Sequence, residues 1–346
     1  MTVVVKKLAS EHYAKWDAYV AQCENASIYH QSRWISVISK SLKQQCIFLY
    51  AQDSAGNICG VFPLVELKSV IFGRFMVSMP YFNYGGVLSD NNDIRDLLLQ
   101  EATAIGNAQN IDYLQIRESD DSLVERFVTK TDKVNMILAL PDSAEALGKS
   151  IGSKRRSQIK RPQRENVRAE FGGVELLDDF YHVFCINMRD LGTPVYSRNF
   201  FLSILQNFKA EARLCVVYWD DKPVSTGFLI RHKDQMEIPW ASTVREANRI
   251  SINMYLYWEI LSWSIEQGCK TFDFGRSTID AGTYKFKKQW GAEPQQCYWY
   301  NWVPEGKELP NLSPSNSKFD LAIKIWQKLP LWLTKVIGPK LVRNLP

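Results

Sequence analysis

The sequence predicts a mixed α/β (α+β) chain built as two copies of one strand–loop–helix–strand plan. Three observations predict it. At roughly 150 residues per domain, 346 residues make about two domains. With 46% apolar and 12% aromatic residues the chain can bury large cores, which excludes a disordered or low-complexity protein. Finally, residues 79–117 and 239–276 share an order: meander strand, polar loop, helix, strand.

The first copy starts with a strand over Val3–Lys7, a helix from Glu11 to about Cys23 and a short helix over Arg33–Leu42. Alternating β-branched and aromatic residues then predict strands at Cys46–Ala51, Ile58–Leu67 and Arg74–Met79. A glycine-paired aromatic loop fills Pro80–Ser89. A helix over Asp93–Gln109 follows, with Asn91, Asn92 or Asp93 as cap and a stripe at Ile94, Leu97, Leu98 and Ile105. Strands at Ile111–Arg117 and Val134–Leu140 complete it. The second copy reads as a meander at Arg213–Trp219, Pro223–Arg231 and Gln235–Trp240, then a polar loop, Ala241–Arg249. Its helix runs over Ser251–Gln267, capped by Ser251 or Asn253 and stopped by Gly268, and leads to a strand at Lys270–Phe274. Expected domains are 1–140, 141–305 with a helical insertion at 143–168, and a tail at 306–346.

Charge and cysteine content narrow the function classes only slightly. Forty-two basic against 37 acidic residues leave +5, so distribution matters more than the sum. Seven cysteines lie scattered with no C-x-x-C, and the four histidines are spread out. A zinc site, a disulfide framework and a Ser-His-Asp triad are therefore not expected, and the metal expectation is none. The start M-T-V-V-V-K-K-L does not read as a signal peptide, and no run reaches the ~20 apolar residues of a spanning helix. These features predict a cytoplasmic protein, with peripheral association at the inner membrane left open by its tail.

Four segments carry the chemistry. Seven cations crowd residues 154–168 (Lys154, Arg155, Arg156, Lys160, Arg161, Arg164, Arg168), with a helix break expected at Pro162. The cluster is either a solvated arm or a contact for an anionic ligand. The run Pro239–Asn253 leads a strand through a polar loop into a helix start, where backbone N–H groups favour an anion and Arg245 and Arg249 add charge. An ordinary capped surface helix reads the same way. The block F-D-F-G-R-S at 272–277 followed by G-T-Y-K-F-K-K-Q-W-G at 282–291 places cations between rings. Read as a strand, it points Tyr284 and Phe286 one way and Lys285 and Lys287 the other. A lysine held there could stabilise an oxyanion during acyl transfer, or simply snorkel from a core strand. From Lys318 onward the tail has six basic residues against one acidic, with Trp326, Trp332 and several leucines, split by Pro330 and Pro339 into short helices. That composition suits either an anionic membrane surface or a packing helix.

The blocks at 272–277 and 282–291, with P-W-A-S-T at 239–243 and S-K-R-R-S-Q-I-K-R at 153–161, resemble the FemAB family of peptidyl and aminoacyl transferases. The run N-M-R-D-L-G-T-P-V-Y-S at 187–197 and the tail R-N-L-P at 343–346 are closest to the FemAB-like proteins associated with PEP-CTERM sorting and exopolysaccharide gene clusters. The resemblance implies two tandem GNAT-like acyltransferase domains with a central cleft, a short helical insertion and C-terminal helices. It implies that Phe286 and Lys287 of the F-K-x-x-x-G segment lie at the acyl-transfer site, with Lys287 stabilising the tetrahedral intermediate and Phe286 walling it. Asp273 is the candidate base. Arg245, Arg249, Ser251 and Asn253 would hold donor phosphate. Arg276, Tyr284, Trp240, Tyr196 and Arg198 are the candidates for acceptor binding. No cofactor is held permanently; the donor would be an acyl-CoA or an aminoacyl-tRNA, the short insertion weighing against tRNA. The acceptor would be an amine or hydroxyl of a cell-envelope, peptidoglycan or exopolysaccharide precursor. Two other readings stand beside this one: an acetyl-CoA-dependent acetyltransferase of a polysaccharide sugar, and a non-catalytic scaffold at the membrane surface.

Overall fold

A computed structural model describes residues 2–69, 72–123, 126–309 and 317–345. The chain forms two compact units. One comprises Met1–Val134, Gln296–Leu312 and Arg343–Pro346, the other Asn135–Gln295 and Ser313–Val342.

In the first unit β1 (Val4–Lys7), α1 (Tyr13–Gln22) and α2 (Arg33–Val37) lead into a meander of β2 (Gln45–Gln52), β3 (Ile58–Ser69) and β4 (Gly73–Val77). The bridge β5 (Leu88–Ser89), helix α3 (Asn92–Ala108), β6 (Tyr113–Glu118) and β7 (Val128–Lys130) follow. The α3 cap is Asn91, whose side chain accepts the Ile94 N–H at 3.0 Å. Ile94, Leu98, Leu99, Ala102 and Ile105 then face a core with Leu49, Phe62, Met76 and Leu114. That burial is the main stabilising term, since each large side chain removed from water contributes about 1.5–3 kcal/mol.

The second unit takes up the chain within β8 (Lys133–Ala139). Helices α4 (Ala144–Ser150) and α5 (Gly152–Lys160), strand β9 (Val167–Gly172) and helices α6 (Leu177–Leu191) and α7 (Arg198–Asn207) come next. Then come β10 (Ala212–Trp219), β11 (Lys222–His232), β12 (Gln235–Thr243), α8 (Ile252–Glu266), β13 (Thr271–Thr278), α9 (Gly282–Lys288) and β14 (Glu293–Gln296). The expected stop of α8 is present: Gly268 takes φ +76°, the Cys269 N–H reaches the Ser264 carbonyl and the Gly268 N–H that of Ile265. Strand β15 (Tyr298–Trp302) pairs with β6 and β7 in the first sheet, although the expected second domain 141–305 includes it. Helices α10 (Ser317–Trp326) and α11 (Leu331–Val342) end the chain. Pro339 lies inside α11 and does not split it. Of the expected tail 306–346, residues 310–316 and Pro346 lie outside the described residues.

The sheets run β1-β2-β3-β4-β6-β15-β7, with β5 beside β3, and β14-β8-β13-β12-β11-β10-β9. Each holds a parallel pair joined by a crossover helix: β4 and β6 around α3, β12 and β13 around α8. These are the two copies the shared element order predicts. Among the described residues no helix is long and apolar enough to cross a membrane.

Candidate active site

Pairing of β12 with β13 covers only Gln235–Glu237 against Thr271–Asp273. Beyond it, β12 continues to Thr243 and β13 to Thr278 with no ladder between them. Pro239 sits where the β11–β12 register shifts, a bulge that needs no N–H from it. Past this divergence lies a hollow of about 390 Å³, walled by Ser242 and Thr243 of β12, Asn253 and Tyr257 of α8, Asn187 of α6, and Phe286 and Lys287 of α9.

Lys287 dominates the electrostatics. It is 7% exposed. Its ammonium donates to the carbonyl oxygens of Gly275 at 2.9 Å and Arg276 at 3.0 Å. A lysine has three N–H donors, so one remains for a group in the hollow. Burial pushes its pKa down to about 8; the nearby Asp273 charge opposes this and Arg276 adds to it. Asp273 is fully buried and accepts the Gly275 N–H at 2.6 Å. It thereby fixes the turn whose carbonyls hold Lys287, and it is not on the wall of the hollow.

Residues 282–288 are helical, which corrects the strand reading of Gly282–Gly291. Residues 285, 287 and 288 put positive charge at the helix C-terminus, where the macrodipole favours it. At 100° per residue, Tyr284 and Phe286 no longer share a side. Phe286 packs edge-on to Tyr257, ring centroids 5.1 Å apart. Tyr284 turns toward Lys288, whose ammonium lies 6.0 Å from the ring centre.

Of the residues expected to hold phosphate, only Asn253 lines the hollow; its side-chain oxygen accepts from the Thr243 hydroxyl at 3.3 Å. Ser251 stands at the start of α8 with φ +65° and no side-chain cap, so neither expected cap operates. Arg249 lies over the Trp219 ring at 4.7 Å and Arg245 donates to the Asp190 carbonyl at 2.8 Å. Trp240 and Tyr196 join an aromatic cluster with Phe200, Phe201 and Phe228. Arg198 is paired with Asp178 at 2.6 Å, and Arg276 is exposed beside Lys287. In the basic insertion, Arg156 donates to the Gly148 carbonyl at the end of α4. Arg155 bonds the Ile151 carbonyl and Arg168 pairs with Asp221, while Lys154, Lys160, Arg161 and Arg164 are exposed.

Sequence reasoning missed Tyr257 and Asn187. Tyr257 lies one turn after Asn253, so the i, i+4 rule could have placed both on one face. Burial raises its pKa, keeping the phenol protonated. The Asn187 amide donates to the Ser242 hydroxyl at 3.2 Å. Among the described residues no three His, Cys, Asp or Glu side chains cluster as metal ligands.

Residues 153–288, which hold this hollow, match the acetyltransferase (GNAT) domain family. No curated protein sequence matches the chain. Solved structures of similar fold include FemX, at 14% identity and TM-score 0.66, covering 86% of this chain and 97% of that one. The L-PGS structure from Bacillus licheniformis aligns at 14% identity and TM-score 0.56 over 94% of this chain and 99% of that one. A tandem GNAT protein from the clavulanic acid biosynthesis pathway aligns at 9% and 0.55 over 89% and 100%. The chain thus has a tandem GNAT-like fold, and within its second unit residues 153–288 are similar to the acetyltransferase (GNAT) domain family.

Proposed function

We propose that the second unit catalyses transfer of an acyl group from a thioester donor, an acyl-CoA, to an amine or hydroxyl of a cell-envelope or exopolysaccharide precursor, in the manner of a FemAB-like enzyme. The observation that carries this reading is the unspent N–H of Lys287, held by two backbone carbonyls on the wall of a hollow. The acceptor attacks the acyl carbonyl carbon, and a C–N or C–O bond forms. Negative charge collects on the carbonyl oxygen, where the Lys287 ammonium stabilises it. The C–S bond then breaks and the acceptor's proton ends on the departing thiolate, the protonated Tyr257 hydroxyl on the wall of the hollow giving its proton to the sulfur and taking up the acceptor's in return. The site therefore needs no protein nucleophile. The GNAT match supports acyl-CoA as co-substrate. Backbone N–H groups at the start of α8, next to Asn253, offer its phosphates an anion site; Arg245 and Arg249 would have to leave Asp190 and Trp219 to join it.

Acceptor-dependent release of free thiol from a panel of acyl-CoAs, in the presence of amino-sugar and peptide amines, tests the reading. Release above the acceptor-free rate is expected. No release with any acyl-CoA, together with consumption of aminoacyl-tRNA, would replace the donor; neither reaction would leave the scaffold reading.

A further inference from the structure

Helices α10 and α11 each have a seated side and, among the described residues, an opposite side that is exposed. On α10, Trp326 is buried and Ile323 lies against Gly192, where an added Cβ would come within 2.4 Å of it. On α11, Thr334, Gly338 and Val342 form the buried stripe at i, i+4, i+8, with Gly338 against Val195. The outward stripes follow the same period: Leu321, Ile325 and Lys328 on α10, and Trp332, Val336 and Lys340 on α11. Leu321 is 65% exposed, Ile325 54%, Trp332 67% and Val336 57%. Elsewhere in the described residues the exposed large apolar side chains come at most one to an element, whereas here Leu321, Ile325, Trp332, Val336 and Leu341 fall within two consecutive helices. Lysines accompany them, and the chain from Lys318 onward has six basic residues against one acidic.

We infer that these two outward stripes dock the protein on an anionic membrane surface. Trp332, Ile325, Leu321 and Val336 enter the boundary between headgroups and acyl chains. Lys324 and Lys328 meet the anionic headgroups. Each cation near such a surface strengthens binding by roughly fivefold, and apolar insertion adds to it. Charge chooses this occupant over a second copy of the chain, because two lysine-bearing faces repel and lysine is depleted at protein interfaces. The helices lie on the bilayer and do not cross it. The inference rests on α10 and α11 alone and is independent of the acyl-transfer reading.

Sedimentation of the full chain with vesicles tests it. Phosphatidylcholine vesicles containing about one third phosphatidylglycerol should pellet the protein at least tenfold more efficiently than phosphatidylcholine alone. Ile325→Ser with Trp332→Ser should cut that binding more than tenfold with an unchanged melting temperature. Leu97→Ser, at an exposed apolar residue elsewhere, should leave it intact. Lys324→Gln with Lys328→Gln should lower binding to anionic vesicles only. Equal pelleting by wild type and the double serine variant would overturn the inference. So would a dimer by light scattering that the double serine variant makes monomeric, which would assign the face to self-association.

Discussion

The Lys287 ammonium lies 2.9 Å from the Gly275 carbonyl oxygen, at a point in β13 where Gly275 adopts φ +74°. A left-handed residue inside an extended strand turns its carbonyl out of the sheet ladder, and here the carbonyl turns toward the lysine. The relation ties the strand F-D-F-G-R-S to the helix G-T-Y-K-F-K-K and puts a buried cation on the wall of the hollow. Gly275→Ala would strain that turn, since a Cβ disfavours positive φ by about 1–2 kcal/mol. It should lower kcat while leaving KM for the donor nearly unchanged. An unaltered kcat would disconnect the turn from turnover.

Replacing the cation itself separates chemistry from folding. Lys287→Met should reduce kcat by about 10²–10³-fold, the range for losing one oxyanion donor. The melting temperature should fall only modestly, because methionine matches the stem and removes a charge that burial disfavours, which offsets the donor lost by the Gly275 and Arg276 carbonyls. Steady-state kinetics beside thermal unfolding checks both halves. Full activity in a folded Lys287→Met protein would remove Lys287 from the mechanism.

The lowered pKa of Lys287 sets a pH dependence. Free lysine keeps its proton to about 10.5, whereas buried Lys287 gives it up near 8. An ammonium acting as oxyanion donor therefore fails above about pH 8, and kcat should drop on that alkaline limb. Stability moves the other way. Between about 8 and 10.5 the unfolded chain binds the extra proton, so unfolding becomes harder as pH rises. Asp273→Asn removes the charge that holds the pKa up and should shift the alkaline limb to lower pH, a displacement that a purely structural Asp273 would not cause.

How much of this was legible in the sequence differs by element. Helix α8 was readable because its signals are local: a largely apolar stretch over 252–263 and a glycine stop at 268. Helix α9 was not, since Tyr-Lys-Phe-Lys alternates with a period of two and copies a strand. As a helix it seats Lys287 on the carbonyls of the β13 turn, a tertiary contact that the alternation does not register. Strand β15 lay beyond reach for another reason. It pairs with β6 about 180 residues away, Tyr300 opposite Ile116, and no local pattern records such a partner. The likeness that pointed to Phe286 and Lys287 located the hollow, while Arg249 and Arg245 drew attention by charge and turn to Trp219 and Asp190 instead.

The first unit provides an independent test at a second hollow, of about 500 Å³, which Glu118 and Asp90 help to line. Glu118 accepts the Val87 N–H at 2.7 Å. Desolvation raises its pKa to about 8, with Asp120 adding to the rise and the Val87 N–H and Arg95 opposing it. The unfolded chain ionises this group near 4.5, so between 4.5 and about 8 the folded state binds the extra proton. Stability should therefore decline with rising pH across that window. Glu118→Gln should flatten the decline in urea-melt midpoints recorded from pH 5 to 8, and an unchanged slope would refute the assignment.

Seating of the last helix can be tested at Gly338. Two effects oppose each other there. Alanine is favoured over glycine inside a helix by about 1 kcal/mol, so on propensity alone Gly338→Ala would stabilise α11. Its Cβ, however, would lie 2.8 Å from the Val195 backbone nitrogen and 3.1 Å from the Val195 oxygen. Backbone cannot swing aside as a side-chain tip can, and such overpacking costs about 1–3 kcal/mol. The contact should win. Amide exchange across 331–342 should then accelerate, while that of β10–β12 stays slow because those strands hold their own ladder. Slower exchange in Gly338→Ala would mean that the helix does not rest on Val195.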